Sequence, residues 1–460
     1  MDCSSMRTST TCSTIYQYNP NGAEWGSLSW GHATSEDLSH WEHHPVALLA
    51  RGYPGEITEM YFSGSAVADV NNASGFAADA SQVPLVAIYT SFYPQAQFLP
   101  SGKRARGKQQ PQSIAYSLDN SMTWTQWDAG NPVILGPPSP DEAEYEEFRD
   151  PFVFWHDATQ TWWTYASTFG PFNAVGGVWE CPNLFPLPLD GDLTTGTFTS
   201  PSFTIFHRYI NFLIGGGFSR NGTSINLKVD INGTSRSSGQ QPITTIRLRG
   251  GWGHITVDEI SFSKTTLARS QTANWMDFGP DFYAATSFNG LPRDERISVA
   301  WVSNWQYAAA TPEQGWRGAY ALQRRLSLKT VNHKPTLVQE PDIIPEGTIE
   351  QLTVSGQAME IQLQFSALAG VGRFGVIALA TPDLTEQTQV GYDFGTKEVF
   401  VDRKRSGNVT FDATFSEVYH APLLEADQDG TASLRIFLDW SSVELFAGQG
   451  KTSHGPGISG

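Results

Sequence analysis

The sequence predicts an all-β chain in two parts, a β-propeller followed by an antiparallel β-sandwich. Three observations carry this. Short β-branched and aromatic runs bounded by Gly, Pro, Asn and Asp recur along the chain, while helical periodicity is scarce. A polar turn motif occurs twice in the first third. After a proline-rich break, apolar and polar residues alternate one for one, as in half-buried strands. Composition agrees: aromatics reach 12%, with 15 Trp, and charged residues are only 16%, against about 25% in a typical soluble domain. This is a turn-rich β protein with aromatic surfaces.

The runs fall at 84–89, 151–155, 244–248, 297–302 and 433–438. The repeated turn reads Ser35, Asp37, Trp41 in SEDLSHW and Ser117, Asp119, Trp124 in SLDNSMTW. In each, an Asp-led turn feeds a strand anchored by Trp and then a Pro-led apolar segment. The copies are spaced as two propeller blades of about 40 residues each would be. Residues 334–347, KPTLVQEPDIIPEG, hold three prolines and read as the linker. Beyond them MEIQLQF, EVFVDRK and SLRIFLDWSSVELF alternate strictly, the pattern of a sandwich. The propeller is therefore placed at 14–335 and the sandwich at 350–460. Residues 199–272 are atypical, with mixed patterning that suits neither blade strands nor an amphipathic helix, and are expected to be the least well-packed part of the propeller.

Charge and cysteine usage exclude several partners. The formal net charge is −17, which repels phosphate backbones and argues against nucleic acid. Three cysteines make no disulfide framework. No apolar run is long enough to span a membrane. The leader MDCSSMRTSTTCST lacks the apolar segment of a signal peptide. No P-loop, dinucleotide fingerprint, HExxH or CxxC pair occurs, so no cofactor or metal is implied. His40, His43 and His44 cluster without acidic partners at ligand spacing, as in a solvated turn.

Two carboxylates stand out. Asp150, in FRDPFVFW, opens a strand between Arg149 and Pro151. The adjacent Arg can orient a carboxylate or lower its pKa; an ordinary ion pair reads equally well. Glu180, in GGVWECP, sits in an apolar run beside Trp179 and Cys181. There it is desolvated with a raised pKa, as a general acid requires, or paired, or turned to the wet face. Such an Asp and Glu in a Trp-rich β protein suggest glycoside chemistry, with exposed Trp as sugar platforms.

Read together, YQYNPNGAEWGSLSWGHATSEDLSHW, MYFSGSAV, FRDPFVFW, GGVWECP, WMDFGPDFYAA, VSNWQY and LRIFLDWSSVELF resemble glycoside hydrolase family 32, in its fungal exo-inulinase and invertase branch. The resemblance implies a five-bladed propeller, a sandwich, secretion, and retaining hydrolysis of sucrose or fructan oligosaccharides through a covalent fructosyl-enzyme. It implies Glu180 as general acid/base and Asp150 as the carboxylate on the fructosyl hydroxyls. Gln17, Trp25, Phe62, Ser63, Arg149 and Trp305 match sugar-contacting positions.

The chain also departs from the family. The nucleophile belongs to a WMNDPNG-like motif upstream of YQYNP, and here only the Ser/Thr-rich leader precedes Tyr16. The chain is expected to lack the nucleophile, to be shortened, and to have incomplete first and third blades. Asp277 and Asp281 are the remaining motif-borne carboxylates that could substitute. A weakly active hydrolase, a fructosyltransferase and a non-catalytic fructan-binding protein all follow from this reading.

Overall fold

The computed structural model describes residues 11–183 apart from 39, 80, 138–144, 157–158 and 168–179; 185 and 187; 275–342 apart from 293–294, 313–316 and 332–333; and 356–458 apart from 357, 368–371 and 424–429. It also describes strand 4–7 and several strands between 197 and 263 as backbone. Among the described residues every regular element is a β-strand, and no helix is long and apolar enough to cross a membrane. The chain divides into two compact units. One comprises Met1–Leu184, Met276–Leu326 and Leu337–Gly460, the other Phe185–Trp275 and Ser327–Thr336.

The first four-stranded sheet runs Ser4–Arg7, Cys12–Tyr18, Ser29–Ser35, Glu42–Leu48, each strand beside the next. Ser4–Arg7 supplies the fourth strand, so the expectation of an incomplete first sheet is corrected: a short segment from the Ser/Thr-rich leader pairs with Cys12–Ile15. The second sheet orders Thr125–Gln126, Gln112–Ser117, Leu85–Phe92, Met60–Ala68. Ile15, Trp30, Leu48, Tyr61, Ala87, Tyr89 and Ala115 form one core cluster shared by the two sheets. Arg149–His156 pairs with Thr161–Ser167; the strands expected to be missing after this pair lie outside the described residues. A further sheet orders Tyr283–Ser287, Ile297–Trp301, Arg324–Val331, Lys334–Pro341.

The repeated turn is real, and its chemistry is the same in both copies. Ser35 Oγ accepts from the Leu38 N–H at 2.7 Å and Asp37 Oδ1 from the His40 N–H at 2.7 Å. Ser117 Oγ accepts from the Ser121 N–H at 3.0 Å and Asp119 Oδ1 from the Thr123 N–H at 2.9 Å. The copies lie in consecutive sheets, not two blades apart. The excess spacing is taken up by connecting segments, including the small hairpin Gln97–Phe98 with Arg104–Ala105. The linker expectation is also corrected. Lys334–Pro341 is the outermost strand of its sheet, a place where Pro335 removes no needed donor because edge strands tolerate proline.

The sandwich follows the alternation. One sheet orders Met359–Ser366, Thr431–Asp439, Ser442–Ala447, Thr452–Ile458, the other Arg373–Ala378, Gln387–Asp393, Glu398–Arg405, Val418–Pro422. Val390, Val399, Val401 and Ala421 of the second face Leu434, Ile436, Val443 and Leu445 of the first across a dry core.

Two buried guanidinium groups join sandwich to propeller within this unit. Arg324 pairs with Asp277 at 2.7 Å and with Glu444 of the sandwich at 3.2 Å, and donates to Gln339 and Ser453. Burial pushes the Glu444 carboxyl up to about 7, against the pull of Arg324. Arg403 of the sandwich pairs with Asp281 at 2.7 Å, both sealed from solvent. Asp277 and Asp281 are thus held in buried ion pairs, which removes them as substitute nucleophiles.

In the other unit, Thr197–Thr199 and Ser224–Lys228 flank Thr245–Arg249, Thr204–Ile205 pairs with Gln241–Pro242, and Tyr209–Gly216 pairs with Ile255–Ser263. The packing expected of 199–272 concerns side chains outside the described residues.

Candidate active site

Three strands carry Phe62 and Ser63, Arg149 and Asp150, and Tyr283, and each is irregular there. The ladder of Met60–Ala68 slips between Tyr61 and Gly64, around Phe62 and Ser63. That of Arg149–His156 slips between Arg149 and Phe152, around Asp150. That of Tyr283–Ser287 slips between Tyr283 and Thr286. Bulges bend a strand and re-aim its side chains, and they concentrate beside active sites. Gly64 is required at the first: a Cβ there would lie 2.2 Å from the Ile88 carbonyl oxygen. Asp150, Cys181 and Ala284 adopt φ of 59°, 53° and 52°, a left-handed backbone that costs non-glycine residues about 1–2 kcal/mol. Such strain is stored where surrounding structure imposes a geometry.

At Asp150 that imposition is visible. Its N–H donates to Thr90 Oγ1 at 2.9 Å. Thr90 in turn donates to Gln112, whose amide donates to the Phe148 carbonyl. The carboxylate is 5% exposed and accepts the Cys181 N–H at 3.2 Å. Glu180 therefore sits next to the residue that contacts Asp150, although 31 positions separate Asp150 from Cys181.

Arg149 bridges the two carboxylates. Its Nε lies 3.0 Å from Glu180 Oε1 and 3.9 Å from Asp150 Oδ2, so the sum of those distances bounds their separation. Nη2 reaches Glu180 Oε1 at 2.9 Å, and Nη1 reaches Glu147 at 2.5 Å. Burial works to lower the Arg149 pKa, but Glu147, Asp150 and Glu180 raise it above the ordinary value. Tyr283 donates its hydroxyl to the other Glu180 oxygen, Oε2. Of the readings open for Glu180, pairing is the one realised. It lies outside any strand, and its neighbour Trp179 is outside the described residues. One guanidinium thus faces three carboxylates, and Glu180 keeps 25% side-chain exposure, open to a ligand.

Aromatic rings extend this group. Trp305, 60% exposed, packs edge-on against Trp301 with ring centroids 5.2 Å apart, and Trp301 against Tyr283 at 6.1 Å. Trp25, 59% exposed, meets Phe62 at 6.3 Å, and Phe62 stacks on Phe92 at 4.9 Å. Trp25 and Phe62 form their own cluster, tied to the first sheet by the Trp30 indole donating to the Phe62 carbonyl. Gln17 lies opposite Trp30 in that sheet, and its side-chain amide is buried with neither oxygen nor nitrogen hydrogen-bonded. Ser63 is buried at the first bulge. Tyr283, Glu147, Thr90 and Cys181 belong to the site but were not singled out from sequence.

A cleft of about 940 Å³ opens elsewhere, between the two Asp-led turns, lined by Ser13, Thr34, Asp37, His44 and Asp119. Asp37 and Asp119 are committed to holding those turns. No group of three or more potential metal ligands occurs among the described residues.

The model of the glycosyl hydrolases family 32 N-terminal domain matches residues 9–171 and 162–341, and that of the family 32 C-terminal domain matches 324–454. The chain belongs to glycosyl hydrolase family 32. It is therefore a glycosidase that hydrolyses O-glycosyl bonds, built on the family's propeller and sandwich. Among family 32 relatives, an extracellular exo-inulinase of Aspergillus niger is 46% identical over 95% of this chain and 83% of its own length. A levanase of Bacillus subtilis is 36% identical over 95% of this chain and 61% of its own. The crystal structure of an exo-inulinase from Aspergillus awamori superposes with a TM-score of 0.79 at 43% identity, over 100% of this chain and 90% of that one. A β-fructofuranosidase from Schwanniomyces occidentalis, complexed with fructosyl-erythritol, superposes at 0.68 and 25% identity over 99% of this chain and 87% of that one.

Proposed function

We propose that this family 32 chain acts on sucrose or inulin-type fructans, releasing fructose by a retaining mechanism at a site carried by a five-bladed propeller whose sheets run from Ser4 to Pro341, with the sandwich after it. Glu180 protonates the glycosidic oxygen of the leaving group and later takes the proton of the attacking water. Asp150 accepts hydrogen bonds from fructosyl hydroxyls. Trp305 and Trp25 offer ring faces to the sugar, and Phe62, Ser63 and Gln17 complete the contacts. The similarity to extracellular exo-inulinases supports this substrate class and supports secretion.

One observation carries the reading: three carboxylates converge on one half-buried guanidinium, with the Glu180 carboxylate open to solvent. With all groups ionised the cluster is net negative. A glycosidic transition state resembles an oxocarbenium cation, and preorganised negative charge stabilises it where water is thinned. Arg149 keeps the three carboxylates from repelling one another. Tyr283 and Arg149 take different oxygens of Glu180, which fixes the carboxyl plane.

Retention also requires a carboxylate on the opposite face of the sugar. Asp150 is turned toward Cys181, and Asp277 and Asp281 are locked in buried pairs. We therefore propose that none of Asp150, Asp277 and Asp281 serves as that carboxylate. The test is to express the chain as written and with a WMNDPNG-bearing strand grafted before Tyr16, and to assay fructose release. Activity in the graft alone supports both the site and its need for a further carboxylate beyond these three. Equal, robust activity in both refutes the latter. Fructan binding without release in either makes the chain a binding protein.

A further inference from the structure

We infer that the sandwich sets the sugar site, with Arg403 acting as a positioning residue for Trp305 and Tyr283 through Asp281. This rests on the functional reading above for what the site binds, but not for the linkage itself.

Asp281 is fully buried, two residues before Tyr283. Its Oδ2 accepts from Arg403 Nη1 at 2.7 Å. Its Oδ1 accepts from Asn304 Nδ2 at 2.9 Å and from the Tyr307 hydroxyl at 2.5 Å. Asn304 and Tyr307 bracket Trp305. Arg403 Nη2 donates to the same Tyr307 hydroxyl at 2.8 Å and to that of Tyr419 at 3.1 Å. Arg403, Asp281 and Tyr307 therefore close a ring of hydrogen bonds, and the guanidinium lies over the Phe415 ring at 4.1 Å.

The ring fixes the segment that carries Trp305. Asn304 Oδ1 accepts the Gln306 N–H at 2.9 Å, and the Ala308 N–H donates to the Asn304 carbonyl at 3.0 Å. The Tyr307 carbonyl accepts from Ala310 and Thr311. Trp305 itself is mostly exposed, so its ring direction is set by this backbone and by the edge contact with Trp301. On the other side, Asp281 anchors the chain as it enters the bulged strand whose Tyr283 donates to Glu180. A single carboxylate, held by a sandwich residue 122 positions away, thus orients both a sugar platform and the hydroxyl on the acid. A guanidinium is needed because it serves Asp281 and two tyrosine hydroxyls at once, and a lysine cannot reproduce that fork.

The test uses the full chain labelled with 5-fluorotryptophan. Trp305→Phe assigns the Trp305 fluorine resonance, and the buried Trp30 serves as a folding control. Arg403→Lys and Tyr307→Phe are each expected to shift or broaden the Trp305 resonance while leaving Trp30 in place. Each is also expected to weaken fructose binding about tenfold. An unmoved Trp305 resonance, or a moved one with unchanged fructose affinity, overturns the inference. If Arg403→Lys does not fold, Tyr307→Phe decides alone, since it keeps the ion pair. If the parent chain takes up no fructose, the functional reading falls, and the Trp305 resonance alone decides the positioning role.

Discussion

Arg149 and Arg403 each hold carboxylates, yet they stand for two uses of the same pairing. Around Arg149 three carboxylates gather on one cation, and Arg149 and Glu180 keep 16% and 25% side-chain exposure. Around Arg403 one carboxylate meets one cation with both near zero exposure, and two neutral hydroxyls accept from its Nη2. The first arrangement leaves charge unbalanced and reachable, which is what a reaction can use. The second leaves no net charge over, which is what a joint between domains requires. Burial and charge balance, not the presence of an ion pair, separate the two.

That contrast can be broken most sharply at Glu180. In the grafted chain, Glu180→Gln is expected to lower fructose release by roughly 10²–10⁴-fold, the span of general acid–base catalysis, with an unchanged melting temperature. A drop in melting temperature as large as that of a core mutant would show the open cluster to be structural. The sealed cluster should behave oppositely. Asp281→Asn leaves Arg403 buried and uncompensated and is expected to cost about 3–5 kcal/mol in urea unfolding; a loss below about 1 kcal/mol would undo the distinction.

Glu444 sharpens it through pH. Its folded pKa, about 7, lies above the ordinary 4.5 because of burial. Below 4.5 the group is protonated in folded and unfolded chains alike. Between 4.5 and 7 the folded state holds the extra proton, so stability falls as pH rises, by about 3 kcal/mol in all. Glu444→Gln should flatten urea midpoints across that window, and an unchanged slope would contradict the assignment. The smallest effect is expected at Tyr283. Tyr283→Phe removes one donor to a carboxylate, about 1–2 kcal/mol, read as roughly a tenfold change in kcat with KM nearly constant. A change in KM alone would place Tyr283 on the sugar and not on the acid.

The sandwich was legible because its alternation is strict: the inward positions of SLRIFLDWSSVELF are the residues found in its core. The Asp-led turns were legible because Ser and Asp hydrogen-bond the backbone locally, a chemistry written in four or five residues. Blade spacing was misjudged because inserted hairpins lengthen a connection without altering its turns. The linker was misjudged because proline at a sheet edge looks like proline in a loop. In the site, Arg149 and Asp150 were readable from RDP, and Glu180 from its apolar surroundings. Tyr283 was not, since nothing in FYAA tells a packed ring from one whose hydroxyl meets an acid. Glu147, in the acidic run EYEEF, looks like a solvated face. The Arg403–Asp281 pair has no local signal at all, because its partners meet only after the sandwich is built.

That late meeting has a consequence for the order of synthesis. Arg324 and Asp281 emerge from the ribosome well before Arg403, Glu444 and Ser453, which they need once buried. Until the C-terminal strands arrive, the nascent propeller can offer Arg324 only one of its two carboxylates, Asp277, and can offer Asp281 neutral donors but no cation. Its inner surface on that side must stay open and wet during translation, and it closes only when the last strands dock. The growing chain is most exposed to chaperones and proteases during that interval.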